Sequence, residues 1–331
     1  MEPGRVLVMR GGHVESAHRV HAIVCDARGR VVASAGDPAL ETFLRSSAKP
    51  FQAAAVLLTG AGEKFGLTDE ELALLCASHN GEPAHVALAE GILARLGLRA
   101  DALRCGALPP MDKESARAAG KGFTPIHHRC SGKHAGMLAA SLAMGADPAG
   151  YLDAQHPYQQ LALRTISTFT GVAPATIGLA VDGCGVPTFC VPLAATATAF
   201  ARLVRPDELT PKEAAAAKRV ATAIVAHPYY VAGRERIDTA LMEAAEGRIL
   251  AKGGAEGFHG VADLETGLGL AVKVEDGATR ATHPAVVEAC RQLGWLEGRA
   301  LEVLGDWWRP PVTNVVGREV GHLEPTIDLG R

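Results

Sequence analysis

The sequence predicts an α+β protein: one antiparallel sheet gathers strands from both chain ends, and a helical middle packs on it to form a helical lobe. Three observations carry this. Alternating and β-branched runs fall in roughly residues 1–40 and 248–331, helical patterns dominate 41–247, and no repeat or low-complexity segment interrupts either region. The 331 residues suffice for a single two-lobed catalytic unit spanning 1–331, and that is the expected organisation.

At the start of the chain, "RVLVMR", "RVHAIVCD" and "RVVASAG" read as strands, the last two joined by the turn "DARGR". "PFQAAAVLLTG" follows, apolar nearly all the way round, as a helix buried inside a fold must be. Pro50 is tolerated only in a first turn, which sets Ser46 close to that helix's N-terminus, where unpaired N–H groups favour developing negative charge. "LTDEELALLCASH" opens with a Thr cap and an acidic first turn, and "EPAHVALAEGILARLGL" succeeds it. Further helices are "KHAGMLAASLAMG", "PYQQLALRTISTFTG", "LAATATAFARLV" and "PKEAAAAKRVATAIVAHP", joined by Gly/Pro-rich connections such as "GALPPMDKES" and "VDGCGVP". Strands return as "RILAKGG", "HGVADLET" and "LGLAVKVED", before the helix "THPAVVEACRQLGWL".

Composition excludes several function classes. A net charge of −3 without any Lys/Arg run, and only 5% aromatic residues, argue against a nucleic-acid partner. No apolar run reaches the ~20 residues that span a bilayer, and "MEPGRVLVMRGG" holds too short an apolar stretch for a signal peptide, so the expected location is cytoplasmic. Seven cysteines, an odd number in a chain of this size, do not make a disulfide framework. Most sit in apolar runs as core thiols. Cys130 in "RCSGKH" and Cys184 in "VDGCGVP" sit instead in polar, Gly-containing loops, where thiols serve metal ligation or nucleophilic chemistry.

Three short motifs carry chemistry. Ser46 and Lys49 form S-x-x-K, one helical turn apart; Ser78 and Asn80 form S-x-N; Lys252 and Gly254 form K-x-G. Alone, S-x-x-K reads equally as a Ser cap beside a solvated lysine, "SHNG" as a helix-ending turn, and "KGG" as a strand end. In this order, however, they match serine β-lactamases and penicillin-binding proteins. Acyl transfer needs a hydroxyl, a nearby neutral amine and oxyanion donors, and two lysines converging on one cleft depress each other's pKa.

"RSSAKPFQ", "ASHNGEPAHV", "RCSGKHAGML", "DGCGVPTF", "KGGAEG" and "PVTNVVGREVG" resemble, in order, the signature blocks of the rhizobial-type L-asparaginases, the asparaginase II family. That resemblance implies a serine β-lactamase-like fold, hydrolysis of the side-chain amide of L-asparagine, and a homodimer. Matched residue by residue, it implies Ser46 with Lys49 as one Ser–Lys pair and Ser78 with Lys252 as the other, with Ser46 favoured as nucleophile. It also implies a zinc ion on Cys130, Lys133 and Cys184, with a water as further ligand, serving substrate binding and not the making of the nucleophile. Arg45 is a candidate for the substrate carboxylate or for a surface ion pair, and Asp182 for the α-ammonium. His134 either reaches the cleft or faces solvent at a helix start; Asn80 is a substrate-binding candidate, His79 is marginal, and His127 and His128 read as a loop or strand end. Asp238 stands, on a loose alignment, where the family has a further cysteine. A carboxylate there would keep Lys252 charged.

Two other readings remain open at the level of sequence. One is a β-lactamase- or peptidase-like acyltransferase, disfavoured by the short interval of about thirty residues between S-x-x-K and S-x-N. The other is a non-enzymatic zinc-binding protein with structural Cys130 and Cys184.

Overall fold

The computed structural model describes residues 1–330. These fall into two compact units, each drawn from separate stretches of chain. The first comprises Met1–Ser47, Val191–Glu208 and Ala240–Arg331, the second Ala48–Cys190 and Leu209–Thr239.

The first unit is built on the expected antiparallel sheet. Its strands run in the spatial order Pro311–Thr313, Glu319–Thr326, Gly4–Arg10, His13–Cys25, Gly269–Val274, Phe258–Asp263 and Ile249–Gly253, and Val31–Ala35 also pairs with His13–Cys25. Gly11 and Gly12, at φ of 54° and 83°, make the two-residue loop that pairs Arg10 with His13, a hairpin conformation that glycine adopts without steric cost. The two chain ends meet where Arg5–Arg10 pair with Gly321–Thr326. Phe258–Asp263 is buried at every position, as a strand covered on both faces must be. The helices Leu193–Val204 and Thr279–Gln292 pack on the sheet. The first of these lies so close that a Cβ on Gly260 would sit 2.0 Å from Phe200, and one on Gly269 2.0 Å from the Ala197 carbonyl. Ile23, Cys25, Leu193, Ala197, Phe258 and Ala271 form a core cluster there.

The second unit is mostly helical. Its central helix, Lys49–Leu58, is buried from Lys49 to Val56, as its all-round apolarity predicts, and Phe51 lies 5.2 Å from Phe169 of the Pro157–Thr170 helix. Thr68 caps Asp69–Leu75 in a reciprocal box with Glu71, and Thr210 does the same with Glu213 for Pro211–Ala226.

Two corrections concern the middle of the chain. "VDGCGVP" is no helix connection but the turn of a hairpin, in which Gly178–Val181 pairs with Pro187–Pro192. The flanking runs are only four and six residues long, too short for their alternation to register. "LAATATAFARLV", expected in the helical middle, belongs to the sheet-bearing unit. Its small residues let it approach the sheet, which is a packing fact invisible in helical periodicity. Among the described residues, no helix is long and apolar enough to cross a membrane.

Candidate active site

Of the residues the sequence nominates, Arg45, Ser46 and Lys252 lie in the first unit. Lys49, Ser78, Asn80, Cys130, Lys133, His134, Asp182 and Cys184 lie in the second. All seven cysteines are free thiols, and Cys25, Cys76, Cys105 and Cys290 are buried, as core thiols should be.

Lys49 opens its helix as a fully buried residue. Its Nζ reaches the Ala77 carbonyl (2.5 Å), Ser78 Oγ (2.9 Å) and Cys130 Sγ (3.3 Å). The sequence set Ser46 against Lys49 and Ser78 against Lys252; the structure also brings Lys49 against Ser78. The reason is tertiary, because residues 77–80 leave the Asp69–Leu75 helix in an extended strip that runs past the buried start of Lys49–Leu58.

That strip is pinned from its other side. The N–H of Ser78 donates to the Val231 carbonyl (3.0 Å) and that of Asn80 to the Ala232 carbonyl (2.8 Å). Arg236 Nη1 donates to the Ser78 carbonyl (3.1 Å) and to Asn80 Oδ1 (3.0 Å). Asn80 Nδ2 donates to the Arg234 carbonyl and to Glu82 Oε1. The amide of Asn80 is thus a tie within the loop. Gly233, at φ 115°, must be glycine here, since a Cβ would come within 2.6 Å of both Asn80 Nδ2 and Glu82 Oε1.

The helix Ser131–Ala143 brings in the next group. Gly132 and Gly136 let it close on the Asp69–Leu75 helix; a Cβ at Gly132 would stand 2.4 Å from the Leu74 carbonyl oxygen. Cys130 precedes this helix, Lys133 and His134 lie in its first turn, and all three are buried. Lys133 Nζ donates to Cys184 Sγ at 2.9 Å, and the Cys184 thiol points at Asp182 Oδ2 at 3.9 Å. A hydrogen bond from Cys184 holds the Cys130 thiol well below its ordinary pKa against the opposing effect of burial, aided by the charges of Lys49 and Lys133. The same bond, with burial, pushes Cys184 up, so one proton serves both sulfurs. Burial works against the Lys133 ammonium, and the charges of Cys184 and Cys130 overcome it and raise its pKa.

His134 does not face solvent. Its Nδ1 meets the Tyr151 hydroxyl at 2.7 Å, and that hydroxyl accepts the Arg104 N–H at 2.8 Å. With the phenolic proton given to Nδ1, the neutral imidazole carries its own proton on Nε2, which is buried without a partner among the described residues. Burial keeps this ring neutral by lowering its pKa well below the usual value. His79 is fully buried, accepts the Gly81 N–H at Nδ1 (3.0 Å), and meets Ser131 Oγ at Nε2 (3.0 Å). His127 and His128 close a short 3-10 turn, as a loop reading required, and His128 Nδ1 accepts the Cys130 N–H.

In the first unit, Ser46 lies in the 3-10 turn Arg45–Ala48, with Arg45 at φ 50°. Lys252 is fully buried on Ile249–Gly253, where Nζ donates to the Gly253 carbonyl (2.9 Å). Gly254 backs onto Leu44, whose carbonyl oxygen would stand 2.9 Å from a Cβ there, so the turn carrying Ser46 abuts the strand carrying Lys252. Asp238 belongs to the second unit, where it is buried in the first turn of Ile237–Ala244.

Among the described residues, no three His, Cys, Asp or Glu side chains form a metal cluster. Cys130, Lys133 and Cys184 fit such a role as a donor set: two soft sulfurs and an amine, already in mutual contact. Arg236 and Tyr151 were not nominated from the sequence, which offers no motif at either position.

A family model described as L-asparaginase II matches residues 6–325, nearly the whole chain. A solved structure described as a β-lactamase from Mycobacterium bovis is 17% identical, with a TM-score of 0.47, over 84% of this chain and 95% of that one. No curated protein matches the chain in sequence.

Proposed function

The chain belongs to the L-asparaginase II family, and from that premise we propose that it hydrolyses the side-chain amide of L-asparagine to L-aspartate and ammonia through a Ser–Lys nucleophile. The observation that carries the mechanism is the buried contact of Lys49 Nζ with Ser78 Oγ at 2.9 Å. Charged Lys49 donates to the Ala77 carbonyl, Ser78 Oγ and Cys130 Sγ; once it gives up one proton, two N–H groups remain for the carbonyl and the sulfur, and the lone pair faces the Ser78 hydroxyl. Ser78 Oγ then attacks the amide carbon as its proton passes to Nζ. Collapse expels ammonia, which takes that proton, and leaves an acyl-serine. Water adds to the ester carbon, Lys49 again taking and returning one proton, and aspartate departs.

Ser46, one turn from Lys49, is the alternative nucleophile, and Lys252 is the second amine that the resemblance implies. Asp182 is assigned to the α-ammonium and Arg45 to the α-carboxylate, and the Nε2–H of His134 to an oxygen of the substrate. Cys130, Lys133 and Cys184 would hold the zinc. When bound, zinc supplies a Lewis-acidic centre that orients substrate. A homodimer and a cytoplasmic location complete the proposal. The amidohydrolase reading stands above a β-lactam-directed acyltransferase because the family match is to asparaginases along almost the full length.

The test is ammonia release from L-asparagine by the purified protein, with Ser78→Ala and Ser46→Ala in parallel. Loss of about 10²–10⁴-fold in kcat is expected for Ser78→Ala. The same loss only in Ser46→Ala returns the nucleophile to "RSSAK", and an inactive wild type sinks the assignment.

A further inference from the structure

The sheet-bearing unit has a cavity of its own, about 350 Å³ in volume and lined only by residues of its last fifty positions. That is room for a single small molecule. Trp307, Pro311 and Leu323 give it apolar surface, and the His283 ring stands edge-on to Trp307 with centroids 5.1 Å apart. Its two charges are Arg280, in the first turn of Thr279–Gln292, and Asp306, in the short helix Gly305–Trp308.

An exposed arginine ordinarily samples many rotamers, but Arg280 is tied at one corner. Its Nε donates to Nε2 of the buried His18 at 3.0 Å, and His18 Nδ1 donates to Asp276 Oδ2 at 2.5 Å. A ring that accepts at Nε2 and donates at Nδ1 is a neutral imidazole in one fixed tautomer. Nη1 and Nη2 then have no acceptor among the described residues, and they form the end of the guanidinium that holds a carboxylate through two parallel hydrogen bonds. The two carboxylates that feel the charge of Arg280 are engaged elsewhere: Asp276 with His18, and Glu15 with Arg10 Nε at 2.9 Å.

Asp306 makes no ion pair or side-chain hydrogen bond among the described residues, with Arg280 or with any other group, and the Trp307 indole N–H has no acceptor there either. Opposite charges lining one small cavity would attract each other if the side chains could meet. Here they stand unpaired on an aromatic and apolar surface, which is the complement of a molecule carrying both charges and a ring.

We propose that this cavity is a binding site for a free aromatic α-amino acid, sharing no residue with the candidate active site. The ligand's carboxylate lies on Nη1 and Nη2 of Arg280, its ammonium on the Asp306 carboxylate, and its ring against Trp307 and His283, where aromatic pairs gain more than burial alone.

The test is calorimetric titration of the full chain with L-phenylalanine and with 3-phenylpropanoate, the same acid without the ammonium. Wild type, Arg280→Met and Asp306→Asn are compared, each first checked for a cooperative thermal melt. Arg280→Met should weaken both ligands about 30-fold, as loss of a charged hydrogen-bond pair does. Asp306→Asn should weaken L-phenylalanine about tenfold and leave 3-phenylpropanoate within about twofold, because only the first has an ammonium to lose. If Arg280→Met does not melt cooperatively, Arg280→Lys takes its place, keeping the charge without the fork and losing about tenfold on both ligands. Unchanged affinity in the folded arginine variant would put the amino acid elsewhere on the protein and overturn the site. Equal weakening of both ligands by Asp306→Asn would remove the ammonium contact and overturn it as well. So would the absence of any heat of binding from the wild type up to about 10 mM L-phenylalanine.

Discussion

A lysine buried away from water has to find acceptors for its protons, and Lys49 finds a carbonyl, a hydroxyl and a sulfur. Replacing it with methionine keeps the stem and removes the amine. Lys49→Met is therefore expected to lower kcat by about 10²–10⁴-fold. Stability should fall by about 1–3 kcal/mol as well, because the Ala77 carbonyl and Ser78 hydroxyl stay buried without their partner. Steady-state kinetics and urea melts read the two effects separately, and an active Lys49→Met would remove this lysine from the mechanism. Lys133 calls for a different measurement. In the proposed zinc site Lys133 is the nitrogen donor beside two sulfurs, so Lys133→Met should weaken zinc binding by at least about tenfold, read as metal content after dialysis against a competing chelator. Unchanged metal content would leave Lys133 as an ion-pair partner of the two thiols and nothing more.

Between elements, glycine spacing decides how near the helices come. Ser131–Ala143 presents Gly132 and Gly136 to Leu74 and Leu75, and this close crossing delivers Cys130 to Lys49. Gly132→Ala would force a Cβ to within 2.4 Å of a backbone oxygen, which cannot swing aside as a side chain can. Overpacking of this kind costs about 1–3 kcal/mol. Gly183, in the turn between Asp182 and Cys184, meets nothing within 4 Å of an added Cβ. Gly183→Ala should change stability by less than about 0.5 kcal/mol, although it sits beside two candidate site residues. Chemical denaturation of both variants checks the contrast, and a Gly183→Ala as damaging as Gly132→Ala would mean that these contact distances do not govern stability. The sequence allowed part of this to be read. The burial of the helix after Lys49 followed from its all-round apolarity, and the "CSGKH" loop from its composition. The pairing of Lys49 with Ser78 did not follow, because it depends on which segments lie side by side. Nor did Arg236, whose partners stand 156 and 158 positions earlier.

Across the whole molecule, the sheet joining both chain ends was legible because β-strand periodicity is local. The placement of Val191–Glu208 in the sheet-bearing unit was not, because it arises from contacts distant in sequence. The same long-range burial sets how stability responds to pH. His79 and His85 stack at 5.0 Å between ring centroids inside the second unit, and both are fully buried. Burial lowers the pKa of His79 well below its usual value, with the charges of His85, Lys49 and His128 acting in the same direction and Cys130 against them. His85 is lowered chiefly by burial, against the pull of the Tyr229 carbonyl and Glu82. An unfolded chain protonates both rings below a pH of about 6.5, while the folded protein does not. Their stabilising effect is therefore complete above that pH and is lost as pH falls from it towards the depressed folded values. The slope is up to about 1.4 kcal/mol per histidine for each pH unit. Glu82, whose carboxyl is held low by the Arg234 backbone N–H and guanidinium against the effect of burial, adds to the loss only at more acid pH, as its carboxylate begins to take up a proton. Urea melts at pH 7.5, 6.5 and 5.5 should show a falling free energy of unfolding over the lower interval, shallower in His85→Phe, which keeps the stacked ring without the titrating nitrogens. A flat profile in the wild type would mean that both rings are protonated in the folded protein, and that the neutral His79 donating to Ser131 is wrongly assigned.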